Sequence, residues 1–166
     1  MYKDIWVRNI LVGHSERREY FNETNEITNK KVLKIIENDL NAMLCVWEKD
    51  WEDAKAVLKE QIKQGLSNIS EEQLSNLKIA YEPVWAIGTW KTAEPEQAQE
   101  RHEFIRELLS KQYNTNIAQK IPILYWWSVN EENAWNLLSQ NDIDWALVGW
   151  ASLRAEKFWQ IITQAL

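Results

Sequence analysis

The sequence predicts an α/β fold built on a parallel sheet. Five short, nearly continuous apolar runs recur along the chain, and an amphipathic stretch at helical spacing follows each one. No Asn-Gly or Asp-Gly pair joins neighbouring runs, so the strongest hairpin signal is missing. Such alternation implies right-handed crossovers between parallel strands. An open doubly wound sheet and an arc of a (β/α)8 barrel both fit this pattern.

The strand-like runs are residues 8–13 (RNILVG), 41–47 (NAMLCVW), 77–82 (LKIAYE), 121–127 (IPILYWW) and 144–150 (DWALVGW). Their continuous apolar character is that of strands covered on both faces. The first helical stretch, 27–39, places Val32, Ile35 and Ile36 on one face and Lys30, Lys31, Lys34 and Glu37 elsewhere. The second, 52–66, carries Val57, Leu58, Gln61 and Ile62 at three-to-four spacing. The third, 95–113, opens with proline at its first position and stripes Ala98, Phe104, Ile105, Leu108 and Leu109. Stretches 130–140 and 154–166 complete the set.

Composition narrows the function classes. The 166 residues are 45% hydrophobic and 27% charged with a net charge of −6, which fits one soluble domain spanning 1–166. The acidic balance, without a Lys/Arg cluster, argues against nucleic acid as the main partner. No apolar run reaches the roughly 20 residues of a membrane span. Cys45 is alone, so neither a disulfide framework nor a cysteine zinc site is expected, and a cytoplasmic location is the default. No GxGxxG or GxxxxGK[ST] occurs, which removes the usual support for a nucleotide site.

Ligands of parallel α/β folds gather at the carboxyl ends of the strands. His14 follows a strand there, with Ser15 as a candidate helix cap. A helix N-terminus favours the neutral imidazole, which can donate to a carbonyl oxygen. Glu82 ends its strand beside an apolar, proline-containing loop. A carboxylate enclosed when such a loop closes becomes a competent carbon-acid base; pairing with an arginine is the purely structural alternative. Ser128, Gly88 and Gly149 offer a hydroxyl and backbone N–H groups to a phosphate. His102 reads as a solvated or partly packed helical histidine, and Glu94 to Glu103 as a solvated face.

These loops resemble those of the triosephosphate isomerase family. The matching strings are GHSERREYF at 13–21, AYEPVWAIGT at 80–89 followed by Lys91-Thr92-Ala93, ILY at 123–125 with Ser128-Val129, and ALVG at 146–149 with Ala151-Ser152-Leu153. They run in family order and spacing across essentially the whole chain. The resemblance implies a partial (β/α)8 barrel, comprising strands four to eight. It also implies interconversion of dihydroxyacetone phosphate and D-glyceraldehyde 3-phosphate through an enediol, in glycolysis and gluconeogenesis, with no metal or cofactor. Glu82 falls on the catalytic base and His14 on the neutral electrophile. Residues 83–89 fall on a lid, and Gly88, Ser128, Gly149 and Trp150 on the phosphate-gripping loops. The family further implies a cytoplasmic homodimer. Cys45 falls on a buried family cysteine and reads as a packing residue.

Two departures stand against the pattern. A full barrel has about 250 residues, so the resemblance marks this chain as a fragment. It lacks strands one to three, the first-strand Asn/Lys pair and the dimer loop. Tryptophan, meanwhile, occurs 11 times and glycine only 4 times, against a usual glycine share of about 7%. Trp6, Trp47, Trp90, Trp126, Trp127, Trp145 and Trp150 stand where the family pattern has glycine, while Trp85 stands on a family tryptophan. Ten glycines in place of all but Trp85 would restore a share of roughly 8%. The pattern is that of UGA glycine codons read as tryptophan. A chain bearing these indoles is expected to be inactive and poorly folded. The rival reading is a non-catalytic fragment or pseudoenzyme with a Trp-rich interaction surface. A different phosphate-binding barrel fits GHSERR and EPVWAIGT poorly.

Overall fold

The computed structural model describes residues 2–86 and 94–164. Its strands are β1 (Asn9–Val12), β2 (Asn41–Glu48), β3 (Leu77–Pro83), β4 (Ile123–Tyr125) and β5 (Trp145–Ala146). Among them lie α1 (Ser15–Phe21), α2 (Asn25–Ile36), α3 (Ala54–Gly65), α4 (Pro95–Gln112), α5 (Thr115–Ala118), α6 (Ala134–Leu138) and α7 (Ala155–Gln164). All four strand pairings are parallel, in the order β1-β2-β3-β4-β5. Sequential order means the sheet winds in one direction throughout. A doubly wound sheet reverses its winding, so the arrangement is instead consistent with an arc of a (β/α)8 barrel.

Alternate strand residues sort onto two faces. Leu44, Val46, Ile79, Tyr81, Ile123 and Tyr125 join Val32, Leu58, Ile62, Ile105 and Leu109 in one core between sheet and helices. The opposite face carries a smaller cluster of Met43, Cys45, Ala80 and Leu124, backed by Trp126 and Leu147. The expectation of strands covered on both faces therefore holds for the middle of the sheet only. Leu11 and Trp145, at its two edges, are exposed on this second face.

Several boundaries differ from the sequence reading, each for a local reason. The β1 run is followed at once by α1, a separate helix capped by His14 rather than by Ser15. The next helix starts two residues early, because Thr24 accepts from the Ile27 N–H and caps it. The fourth strand is three residues rather than seven, since Pro122 has no N–H to give the ladder. The fifth shrinks to two residues at the sheet edge, where the Asp144 carboxylate accepts from the Ile123 N–H at 2.7 Å. Stretch 130–140 yields only α6. The Asn130 side chain accepts from the Glu132 and Asn133 N–H groups and holds a turn there.

Arg106 anchors this weaker end. Its side chain is buried on α4 and pairs with Asp142 at 2.8 Å and Asp144 at 2.7 Å, while also donating to the carbonyls of Ala118 and Ile121. One guanidinium thus ties β4, β5 and the α5 turn together. Replacing it removes the cation from both carboxylates, which keep only the neutral donors Gln99 and the Ile123 N–H among the described residues. Arg106→Met should lower stability by about 3 kcal/mol in urea unfolding, whereas Lys111→Met, on the exposed side of the same helix, should change it little.

Candidate active site

Gly13 sets the geometry of the site. It follows β1 with φ +77, and a Cβ there would meet Thr28 Cγ2 at 2.9 Å, Arg18 Nη2 at 3.2 Å and the Cys45 carbonyl at 3.3 Å. Only glycine fits both the backbone angle and the space. The chain can therefore fold over the end of β2 and deliver residues 14 and 15 to the end of β3.

There Glu82, buried at 1% exposure, meets them. The Ser15 hydroxyl donates to Glu82 Oε1 at 2.6 Å, and the Ser15 backbone N–H donates to Oε2 at 3.2 Å. His14 Nε2 lies 3.4 Å from Oε1. The Glu16 N–H donates to His14 Nδ1 at 3.3 Å, which makes that nitrogen the acceptor. In the neutral ring the proton then sits on Nε2, facing Glu82. The two sequence candidates are thus brought together, and Glu82 is held by a serine and an imidazole rather than by an arginine. Ser15 is a direct partner of the carboxylate. Its position beside His14 after a strand end was the available signal for that role.

Glu48, which the sequence places at a strand end without assigning it a role, forms a second layer. It ends β2, in register with Pro83 at the end of β3, and is buried. Its Oε1 accepts from the Tyr81 hydroxyl at 2.7 Å and from Trp85 Nε1 at 3.2 Å, with Arg101 Nε at 3.6 Å. Burial pushes its pKa up, against the pull of these hydrogen bonds and of Arg101. The carboxylate thereby fixes the residue before Glu82 and the start of the following loop. Gln61 braces the same strand end, accepting from the Trp47 N–H and donating to its carbonyl.

The remaining candidates divide. Gly88 and Trp90 lie outside the described residues, as do residues 87–89 of the expected lid, of which Val84–Ala86 forms a 3-10 turn. Ser128 follows the β4 end, exposed, at φ +40. The left-handed angle falls on it rather than on either neighbouring indole. Gly149 and Trp150 follow β5, and a Cβ on Gly149 would meet nothing within 4 Å. Trp126 stands edge-on to the His14 ring at 5.5 Å between centroids. Among the described residues no group of three His, Cys, Asp or Glu side chains could hold a metal, and no helix is long and apolar enough to cross a membrane.

Two further residues can be placed. Cys45 is buried, and burial raises its thiol pKa strongly, as expected of a packing residue. The solvated reading of His102 is corrected. It is fully buried, edge-on to Tyr81 at 5.4 Å, with Nδ1 2.7 Å from the Ala98 carbonyl. The α4 face that sequence inspection read as solvated turns this ring inward beside buried Ala98.

Burial lowers the His102 pKa to about 4. A depressed pKa contributes stability that is present above the unfolded value near 6.5 and is lost as pH falls toward the folded value. Stability should therefore decline between about pH 7 and pH 4 by roughly 3 kcal/mol from this group. Urea unfolding across that range should show the decline, and His102→Gln should flatten it.

Comparison with known proteins follows the same geometry. The family model described as triosephosphate isomerase matches residues 1–165. A triosephosphate isomerase of Fusobacterium nucleatum is 50% identical over 166 residues, covering 98% of this chain and 66% of that protein. One from Carboxydothermus hydrogenoformans is 48% identical with the same coverage, and one from Dictyoglomus thermophilum is 45% identical over 98% of this chain and 67% of that protein. The chain spans about two thirds of the length of these curated relatives. With its sequential parallel sheet and its imidazole–carboxylate pair at the strand ends, the chain belongs to the triosephosphate isomerase family.

Proposed function

We propose that this chain carries the proton-transfer machinery of a triose phosphate isomerase reaction, with Glu82 as base and His14 as electrophile. The juxtaposition of Glu82, Ser15 and His14 supports this reading most. Dihydroxyacetone phosphate enters with its C1 hydrogens toward Glu82 and its carbonyl toward His14. Glu82 removes a C1 proton, and the C2 carbonyl electrons move onto oxygen, where the His14 Nε2–H donates a hydrogen bond. The C1 hydroxyl proton passes to the C2 oxygen by way of the His14 ring, which leaves the charge on the C1 oxygen; that C–O bond becomes the aldehyde carbonyl as the protonated Glu82 returns a proton to C2, giving D-glyceraldehyde 3-phosphate. Both carboxylate oxygens are engaged by Ser15 in the structure, so the base must leave Ser15 to reach carbon. Glu48 and Trp85 hold the root of the segment that carries Gly88. With Ser128, Gly149 and the backbone at position 150, that segment grips the phosphate. The homodimeric, cytoplasmic character that the family resemblance implies is part of this proposal.

The tryptophans belong to the same reading. Trp6 occupies a left-handed backbone position at φ 62, which favours glycine, and its side chain is 82% exposed. Trp150 is 88% exposed where a phosphate would approach the backbone. Trp47 and Trp127 each bury an indole N–H with no partner among the described residues, a loss on the order of 1–3 kcal/mol each. Trp85, the one that matches the family, donates to Glu48. The remaining ten are proposed to be glycine in the native product, encoded by UGA. The rival, a pseudoenzyme with an aromatic interaction surface, requires UGG at these codons.

Intact mass of the native protein and its codons decide between them. Glycine at 6, 47, 90, 126, 127, 145 and 150 with tryptophan at 85 is expected. The full gene product decoded in that way should isomerise dihydroxyacetone phosphate, and Glu82→Gln should cut kcat by about 10³ or more. Inactivity of that product, or tryptophan at all these positions in the native protein, would overturn the reading.

A further inference from the structure

We propose that Arg18 is the positioning residue of the His14 imidazole, holding the backbone on both sides of that ring. Its guanidinium Nε donates to the Gly13 carbonyl at 2.9 Å, and its own backbone N–H donates to the His14 carbonyl at 3.2 Å. One residue therefore bonds the two peptide carbonyls that bracket the His14 Cα. The same guanidinium reaches away from α1 through Nη1 to Asn25 Oδ1 at 2.5 Å, tying this loop to the first residue of α2. Nη2 is buried without a partner among the described residues, and lies 3.2 Å from the point where a Cβ on Gly13 would stand.

This is a rigid arrangement for a specific reason. A guanidinium is a planar fork, so binding the Gly13 carbonyl and Asn25 together leaves it no free rotation. Gly13, which has the torsional freedom of a glycine, is thereby held at φ +77 from outside. The Glu16 N–H that selects the His14 tautomer comes from the first turn of α1, which His14 caps. If the Gly13 carbonyl loses its donor, ring and N–H need no longer coincide. A lysine keeps the charge but offers a single flexible ammonium, and cannot span both acceptors.

The inference rests on the reading of His14 as the carbonyl-polarising group, but its test is independent of turnover. The chain has only two histidines, so imidazole ¹⁵N spectra of the intact chain contain two ring systems. His102 is fully buried and distant in sequence, and serves as an internal control of folding. In Arg18→Met the His14 pattern should move from predominantly Nε2–H toward a mixture of tautomers, and in Arg18→Lys by a smaller amount. The His102 pattern should remain in place in both. His14 signals unchanged in both variants would overturn the proposal. So would His102 signals that move as far as those of His14 in Arg18→Lys, because Arg18 would then be a general structural residue. Failure of the isomerase reading would leave these spectra as described while abolishing turnover in the decoded product.

Discussion

Everything at the strand ends depends on the absence of a side chain at Gly13. Glu82 lies near the end of β3 and His14 just beyond β1, strands that are not neighbours, with β2 between them. The chain leaving β1 has to pass close over the Cys45 carbonyl to bring His14 and Ser15 to the carboxylate, and any Cβ would stand 3.3 Å from that oxygen. Sheet pairing brings the strand ends level, with Trp47 beside Glu82 in register. The glycine converts that level edge into a site. Arg18 and Thr28 then close on it from the helix side.

The two faces of the sheet divide the remaining work. One face packs against the helices and holds most of the apolar core. Tyr81 links that core to the site: its hydroxyl reaches Glu48, its ring lies against His102, and its neighbour in sequence is Glu82. A buried polar network directly under the Glu82 carboxylate restricts where the strand can move. It also passes the position of Glu48 on to Trp85, where the loop begins. The opposite face is thin and partly exposed at its edges.

Much of this was legible in the residues. The alternation of apolar runs and amphipathic stretches identified the five strands, because buried parallel strands and one-sided helices have different periods. The strand ends identified His14 and Glu82, because that edge is where side chains leave the sheet. Less visible were the features that depend on side chains meeting across long distances in sequence. Ser15 turned out to hold Glu82 rather than cap a helix, and His102 turned inward although its neighbours in sequence are charged. The short β4 and β5 were overestimated, since apolar runs do not reveal where Pro122 and the Asp144 carboxylate interrupt the ladder. The glycine deficit was visible from composition alone, and the left-handed backbone of Trp6 gives it a physical form.

The most direct test of the site is carbon-bound hydrogen exchange. Dihydroxyacetone phosphate would be incubated in deuterium oxide with the glycine-decoded gene product, and its hydrogens followed by NMR. Proton transfer through Glu82 predicts deuterium at the carbon where a proton is returned, with incorporation lost in Glu82→Gln. Incorporation at an unchanged rate in Glu82→Gln, or isomerisation with no deuterium entering either carbon, would contradict the assignment of Glu82 as the base.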